Sequence, residues 1–380
     1  MQVTVHDAIA DISSSDWNAL AGNDYPFLSH EFLSAAESSG SVSLDSGWSP
    51  RHLTISDTKG LRAAMPLYEK SHSWGEFVFD WAWANAYEQA GLDYYPKLVS
   101  AVPFTPAPSR RLLLRDADDQ DAARGLLDAA VTLAEETQCS SLHILFPTAD
   151  EMPLFKDAGF LLRKDCQFHW HNNDYQSFDD FLNTFTSVKR KKARRDRRRV
   201  RENGIQFRRL NGTQIDSDTL NTVYRLISNT FLRRGSTPYY SESFFQEISE
   251  KIPDTVLYVI AELDSVPVAA AVFFESPERL YGRYWGSDGH YDSLHFETCY
   301  YQGIDYCIET GKAIFEPGTQ GEHKISRGFS PVSTWSAHWL AHPQFANAIE
   351  QYLDQEGKHV DRYMDAVDSH TPYKHTGDDS

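Results

Sequence analysis

The chain has 380 residues, 41% of them apolar and 13% aromatic, which is enough for two ordinary packed domains and excludes general disorder. A formal net charge of -18 speaks against nucleic-acid or anionic-membrane binding by the surface as a whole. The charge is uneven, however, because residues 189–201 hold ten Lys or Arg against one acid.

The elements follow in chain order. Apolar residues at helical spacing predict a helix over 30–40, and strands are expected over 52–57, 61–70, 76–83, 97–104 and 110–115. A helix over 118–138 sets Ala122, Leu126, Ala129, Ala130 and Leu133 on one face. A strand at 141–147, a helix at 150–159 stopping at Gly159, and a strand at 168–172 complete the first half. The second half repeats this grammar. It has a basic helix over 178–204, a strand at 205–210, an amphipathic helix at 218–235 and a hairpin at 256–276. A strand at 279–287, a helix at 294–311 and a strand at 313–318 follow. Strands, a crossover helix and another strand in each half argue for an α/β fold of two units with mixed sheets, joined between 173 and 190.

Cys139, Cys166, Cys299 and Cys307 form no CxxC pair and no metal-ligand spacing, so they read as free thiols. The N-terminus lacks a basic, then apolar, leader, and the longest apolar stretches are strand-length. A cytoplasmic location is expected.

The order of a hairpin, YGRYWGS, LHFE, a helix ending GIDYCIETG and then FEPG resembles the second domain of the Fem-type peptidoglycan aminoacyltransferases. The segment FTSVKRKKARRDRRRVRENGIQF is similar to their basic inter-domain helix. The stretches MPLYEKSHSWGEFVFDWAWANAYEQAG, PKLVSAVPFTP, QFHWHN, GRYWGS, LHFETCYYQGI and FEPGTQGEHKISRGFSP look closer still to Fem-related, bacterial-type predicted N-acyltransferases, over residues 27–345. The resemblance implies tandem GNAT-like domains, here 1–175 and 176–380 with the basic helix 178–204 between them. It also implies acyl or aminoacyl transfer to an amine, possible acceptors including a cell-wall precursor. The loop GSDGHYDSLHFE lacks the Q/R-x-x-G-x-G/A pattern that cradles the pyrophosphate of acetyl-CoA. No tightly bound cofactor is expected, and aminoacyl-tRNA or an acyl-CoA stays open as donor.

Acyl transfer to an amine needs a base and a donor for the oxyanion. The candidate catalytic residues are Glu316 at a strand end, Glu322 and His323 in the Gly-rich segment 318–329, and Glu297 near a helix start. Glu297 has a rival role as a helix-dipole partner, and the Gly-rich segment reads equally as a solvated loop. Lys324 and Arg327 are candidate substrate contacts, as are Tyr281, Arg283 and Trp285, which alternation puts on one strand face as an anion clamp. Lys70, His72, Asp80 and Trp83 line a substrate groove in one reading and pack as core in another. His169 and His171 share a strand face without a third ligand nearby, so no metal site is expected. The charges of the basic helix go all around it, leaving no apolar stripe. Arg194, Arg195, Arg198 and Arg199 bind an RNA donor or a phosphorylated precursor, or the helix pairs with the acidic body. A non-catalytic binding protein of the same fold is the alternative function. Convergence of Glu316, Glu322 and His323 on an open cleft would favour the enzyme, and burial of those side chains in ion pairs would favour the binding protein.

Overall fold

The computed structural model describes residues 2–319 and 321–374. Gln320, inside the Gly-rich segment, lies outside the described residues. Contacts divide the chain into one unit of Met1–Cys166 with Ser333–Arg362 and a second of Gln167–Val332 with Tyr363–Ser380.

The first unit contains β1 (Gln2–His6), α1 (Ser14–Ala21), α2 (His30–Ser38), β2 (Trp48–Pro50), β3 (His52–Asp57), β4 (Gly60–Met65), β5 (Tyr68–Lys70), α3 (Trp81–Gln89), β6 (Lys97–Ser100), β7 (Leu113–Leu114), α4 (Gln120–Glu136), β8 (Ser141–Leu145) and α5 (Met152–Asp157). Strands β1, β3, β4 and β7 form an antiparallel sheet. Strand β8 pairs in parallel with β6, which continues antiparallel through β5 to β2. Helix α4 buries Ala122, Leu126, Leu127 and Ala130 in a core shared with Leu53, Ile55 and Ile144, as its amphipathic pattern requires.

Strand β9 (Leu161–His171) runs from the first unit into the second. The second unit then holds α6 (Phe178–Asn183), α7 (Ser187–Glu202), β10 (Ile205–Asn211), α8 (Ser217–Arg233), α9 (Glu242–Lys251), β11 (Val256–Leu263), β12 (Val266–Glu275) and β13 (Arg279–Ser287). A helix follows in three parts: α10 (Leu294–Phe296), a turn of π-helix at Glu297–Tyr301, and α11 (Gln302–Thr310). Then come β14 (Ile314–Glu316), β15 (Ser330–Leu340) and α12 (Pro343–Asp368). The sheet order here is β10-β11-β12-β13-β14-β9, with β13 and β14 parallel and the other neighbours antiparallel. Asp264 and Ser265, both at positive φ, close the β11–β12 hairpin in the primed-turn geometry that matches strand twist.

Three sequence expectations change. The chain does not divide simply near 173–190, because β15 returns to the first unit to pair antiparallel with β8, from Ser336↔Leu145 to Leu340↔Ser141. Residues 76–83 are not a strand: Asp80 precedes α3, and Glu76 and Asp80 turn inward onto Lys97. The basic helix breaks at 184–186, where Thr184 Oγ1 donates to the Phe181 carbonyl, and α7 does have a buried stripe of Ala193, Asp196 and Val200.

Helix α8 packs directly on β13 at a glycine. A Cβ on Gly286 would lie 1.8 Å from the Leu226 carbonyl oxygen and 2.5 Å from Ile227 Cα. Backbone cannot yield as a flexible side chain does. Gly286→Ala is therefore expected to cost about 3 kcal/mol in urea unfolding of the second unit. An unchanged midpoint would refute this close approach.

Candidate active site

The parallel ladder between β13 and β14 is short. It runs from Arg279↔Ile314 to Tyr281↔Glu316 and ends, as the chain after Glu316 turns through Pro317 and Gly318 (φ 92). Beyond that point β13 has a bulge, since Phe273 pairs with Gly282 while Val272 pairs with Tyr284. Arg283 is the extra residue, and a bulge re-aims such a side chain. Strict alternation therefore fails: Tyr281 goes to the core, whereas Arg283 and Trp285 line a pocket of about 140 Å³ with His295, Cys299, Tyr300 and Pro317. Polar groups at strand ends beside a small apolar pocket make the arrangement of a ligand site.

Lys324 stands behind this wall, in the single helical stretch Glu322–Arg327. It is fully buried, and its ammonium donates to the Gly318 carbonyl, next to Pro317 of the pocket. Burial, together with the nearby Arg283 charge, pulls its pKa down to about 7. The His295 ring meets Trp285 and Tyr300 edge-on at 5.3 and 5.5 Å. Burial and the neighbouring His323 and Arg327 lower its pKa to about 4, so it is neutral at pH 7. The Tyr300 hydroxyl lies 2.8 Å from His323 Nε2, and burial pushes the phenol up, so it keeps its proton.

Glu316, Glu322 and His323 do not converge on one cleft. Glu316 is buried, accepts a 2.7 Å hydrogen bond from Arg279, and has His169 Nε2 at 3.9 Å. Burial raises its pKa, and Arg279 opposes the rise. His323 belongs instead to the exposed side of the Tyr300–His295 group. Glu322 is exposed and accepts from the Tyr363 hydroxyl at 3.0 Å. Arg327 is also turned inward: its guanidinium stacks 3.4 Å over the Phe296 ring and lies 3.6 Å from Asp196.

Glu297 sits in the π-turn and is buried, accepting from Arg197 at 3.1 Å and from Gln302 at 2.8 Å. Burial raises its pKa against the Arg197 charge. Arg197 also pairs with Asp305 at 2.5 Å, so these contacts fasten α7 to the helix that carries His295 and Tyr300. One side of α7 then faces a groove of about 730 Å³, lined by Arg194, Arg197, Arg198 and Arg201 with Ser177, Phe178, Asp179 and Glu202, where Asp179 lies 2.9 Å from Arg194 and Glu202 3.5 Å from Arg198. Of the expected polyanion contacts, Arg194 and Arg198 line this groove, and Arg195 and Arg199 do not.

The first-unit candidates are packed rather than displayed. Lys70 is buried with its ammonium 3.9 Å from the Trp48 ring, and burial lowers its pKa to about 7. His72 Nδ1 accepts from the Trp74 amide at 3.2 Å. Asp80 accepts from Tyr94 at 2.7 Å and from Lys97, while Trp83 packs on His338 at 4.9 Å. Among the described residues, no group of three or more His, Cys, Asp or Glu could hold a metal ion. None of the described helices is long and apolar enough to cross a membrane.

Sequence reading missed His295, Cys299 and Tyr300. The only signal was aromatic density, because the π-turn brings positions five apart together where ordinary helical spacing pairs three or four.

Solved structures share this architecture. FemX aligns over 92% of this chain and 100% of its own, at 14% identity and TM-score 0.56. The C-terminal domain of a putative lysylphosphatidylglycerol synthetase from Agrobacterium fabrum aligns over 91% and 97%, at 10% identity and TM-score 0.56. The L-PGS of Bacillus licheniformis aligns over 87% and 98%, at 12% identity and TM-score 0.52. At these identities the likeness establishes the fold alone, an α/β fold with mixed sheets shared with these structures. No curated protein matches the chain. The FemAB-like family, described by peptidoglycan biosynthesis/recognition, matches residues 8–375. The chain belongs to this FemAB-like family of peptidoglycan biosynthesis/recognition.

Proposed function

We propose that the protein transfers an aminoacyl group from tRNA to the amine of a cell-wall precursor, at the opening between β13 and β14. The observation that carries this reading is the opening itself, with Arg283, His295 and Tyr300 around it and Lys324 behind it. A pocket of that size takes a small acyl group. The guanidinium of Arg283 and the phenol of Tyr300 are donors suited to an oxyanion. The attacking ammonium must lose a proton, and an amine near pKa 7, about half neutral at pH 7, is matched to receive it. Lys324 thus takes the part first given to Glu316, whose carboxylate is engaged by Arg279. The arginine groove beside α7 supports a polyanionic donor, and the missing pyrophosphate loop disfavours acetyl-CoA.

The test offers aminoacyl-tRNA or acetyl-CoA with an amine-bearing cell-wall precursor and reads the product by mass spectrometry. Transfer from aminoacyl-tRNA alone is expected. Transfer from acetyl-CoA alone would overturn the donor assignment, and tight precursor binding without transfer from either would favour the binding-protein reading. Salt dependence separates the groove from general attraction. Arg194→Ala, Arg198→Ala and Arg201→Ala should each reduce the slope of log affinity for tRNA against log salt by about 1. Arg195→Ala and Arg199→Ala should change it little. Equal effects at all five positions would remove the groove from the reading.

A further inference from the structure

A second cavity, of about 360 Å³, shares two of its walls with the arginine groove. It lies among the last turns of α7, the edge strand β10, the π-turn and the start of α11. Its floor is apolar: Val200 and Ile205 are buried there in one cluster with Ala261 and Leu294. Alternation puts Ile205, Phe207 and Arg209 on one face of β10. Arg209 donates from that face to Gln302 at 3.0 Å, so the face is turned toward the π-turn and α11. Phe207 therefore stands in the wall, half-buried, and no other aromatic ring meets its own among the described residues.

The two shared walls are Arg197 and Arg201. Arg197 pairs with Glu297, the one carboxylate lining this cavity, and offsets its charge. Of the four groove arginines, Arg194, Arg197 and Arg198 each meet an acid. Arg201 does not: it is exposed, and its guanidinium has no ion-pair partner among the described residues. An unpaired cation thus stands at the place common to both cavities, with an aromatic side chain and an apolar floor on one side of it. A flat aromatic guest gains the floor and the Phe207 ring, and an anion gains Arg201. A nucleotide carries both groups, joined through one sugar.

We infer that this cavity receives the base of a nucleotide against Phe207, with the phosphate at Arg201. Stacking on an aromatic side chain is open to every base, and a base at the end of a strand is free to leave its stack. The same chemistry is offered by a free nucleotide or by the end of an RNA strand. The second source rests on the proposed tRNA donor, whose remaining phosphates would follow the groove.

AMP is the probe, titrated against the full chain. Ribose 5-phosphate keeps the phosphate without the base, and adenosine keeps the base without the phosphate. AMP should bind about tenfold more tightly than ribose 5-phosphate. It should also bind more tightly than adenosine. Phe207→Leu keeps an apolar side chain on the strand and should abolish the preference over ribose 5-phosphate. Arg201→Gln should abolish the preference over adenosine. Arg199→Gln, which alters a residue lining neither cavity, should leave AMP binding unchanged. For an oligoribonucleotide ending in adenosine, Phe207→Leu should weaken binding about tenfold without altering its salt slope. Competition between AMP and that oligonucleotide identifies the RNA end as the source, and AMP binding without competition identifies a free nucleotide. AMP binding by a protein that transfers nothing from aminoacyl-tRNA would refute the donor and leave the site standing. Absence of saturable AMP binding to the unaltered protein would overturn the inference. So would preferences that persist in folded Phe207→Leu and Arg201→Gln proteins.

Discussion

Lys324→Met is expected to lower kcat about 10²–10⁴-fold, with substrate affinity largely kept, because it removes a proton acceptor matched to neutral pH behind the wall of the opening. The pH profile carries the sharper signature. Only the neutral amine can accept a proton, so kcat/KM in the unaltered enzyme should rise with pH through about 7 and then level off. In Lys324→Met that rise should be absent. Lys324→Arg should not restore it, because a guanidinium remains protonated throughout this range. Glu316→Gln provides the contrast. It removes the buried charge that pairs with the half-exposed Arg279, so its main effect should be a lower melting temperature rather than a lost proton acceptor. A Glu316→Gln protein with unchanged melting and no turnover would return the base role to Glu316.

Lys97→Met should destabilise the first unit by about 3–5 kcal/mol, read from denaturant unfolding. Lys97 is fully buried and donates to Ser73 and Glu76, both at 2.8 Å, and to Asp80. Burial alone would lower its pKa, but Glu76 and Asp80 outweigh that and leave it raised. Asp80 shows the reverse balance. Burial raises its pKa, yet Lys97 and other partners bring it down to about 2 from an ordinary 3.8. A depressed carboxylate contributes stability that is present above 3.8 and lost as pH falls through 2. Methionine fills the space but leaves both carboxylates buried without their cation. The same cluster continues through Tyr94 to His143, whose Nδ1 lies 2.6 Å from His338 Nδ1 directly across the β8–β15 ladder. A Lys97→Met protein within about 1 kcal/mol of the unaltered one would show that the ion cluster is dispensable for folding.

The sequence by itself determined most of the local elements. Ala122, Leu126 and Ala130 recur at helical spacing, and α4 forms where they do, because only one face of that helix can leave water. The strand expected at 279–287 is β13, and the hairpin expected around Asp264 and Ser265 is β11–β12, since turn residues act on their immediate neighbours. The resemblance read from GRYWGS, LHFE and FEPG agrees with the family match over residues 8–375.

Tertiary structure decided what those elements do. Residues 76–83 alternate like a strand, but Glu76 and Asp80 are held by Lys97, and His143 and His338 meet from positions 195 apart. Nothing local marks such pairs, because the free energy that selects them exists only once the intervening chain has folded. Glu316 has the sequence position of a catalytic carboxylate, and Arg279 from a neighbouring strand engages it in an ion pair instead. Arg283 reaches the pocket only through a bulge, and Tyr300 comes beside His295 only through a π-turn. Both irregularities break the periods of two and 3.6 on which sequence reading depends. Burial then shifts Lys324 to a pKa near 7, a property of the folded surroundings rather than of the residue.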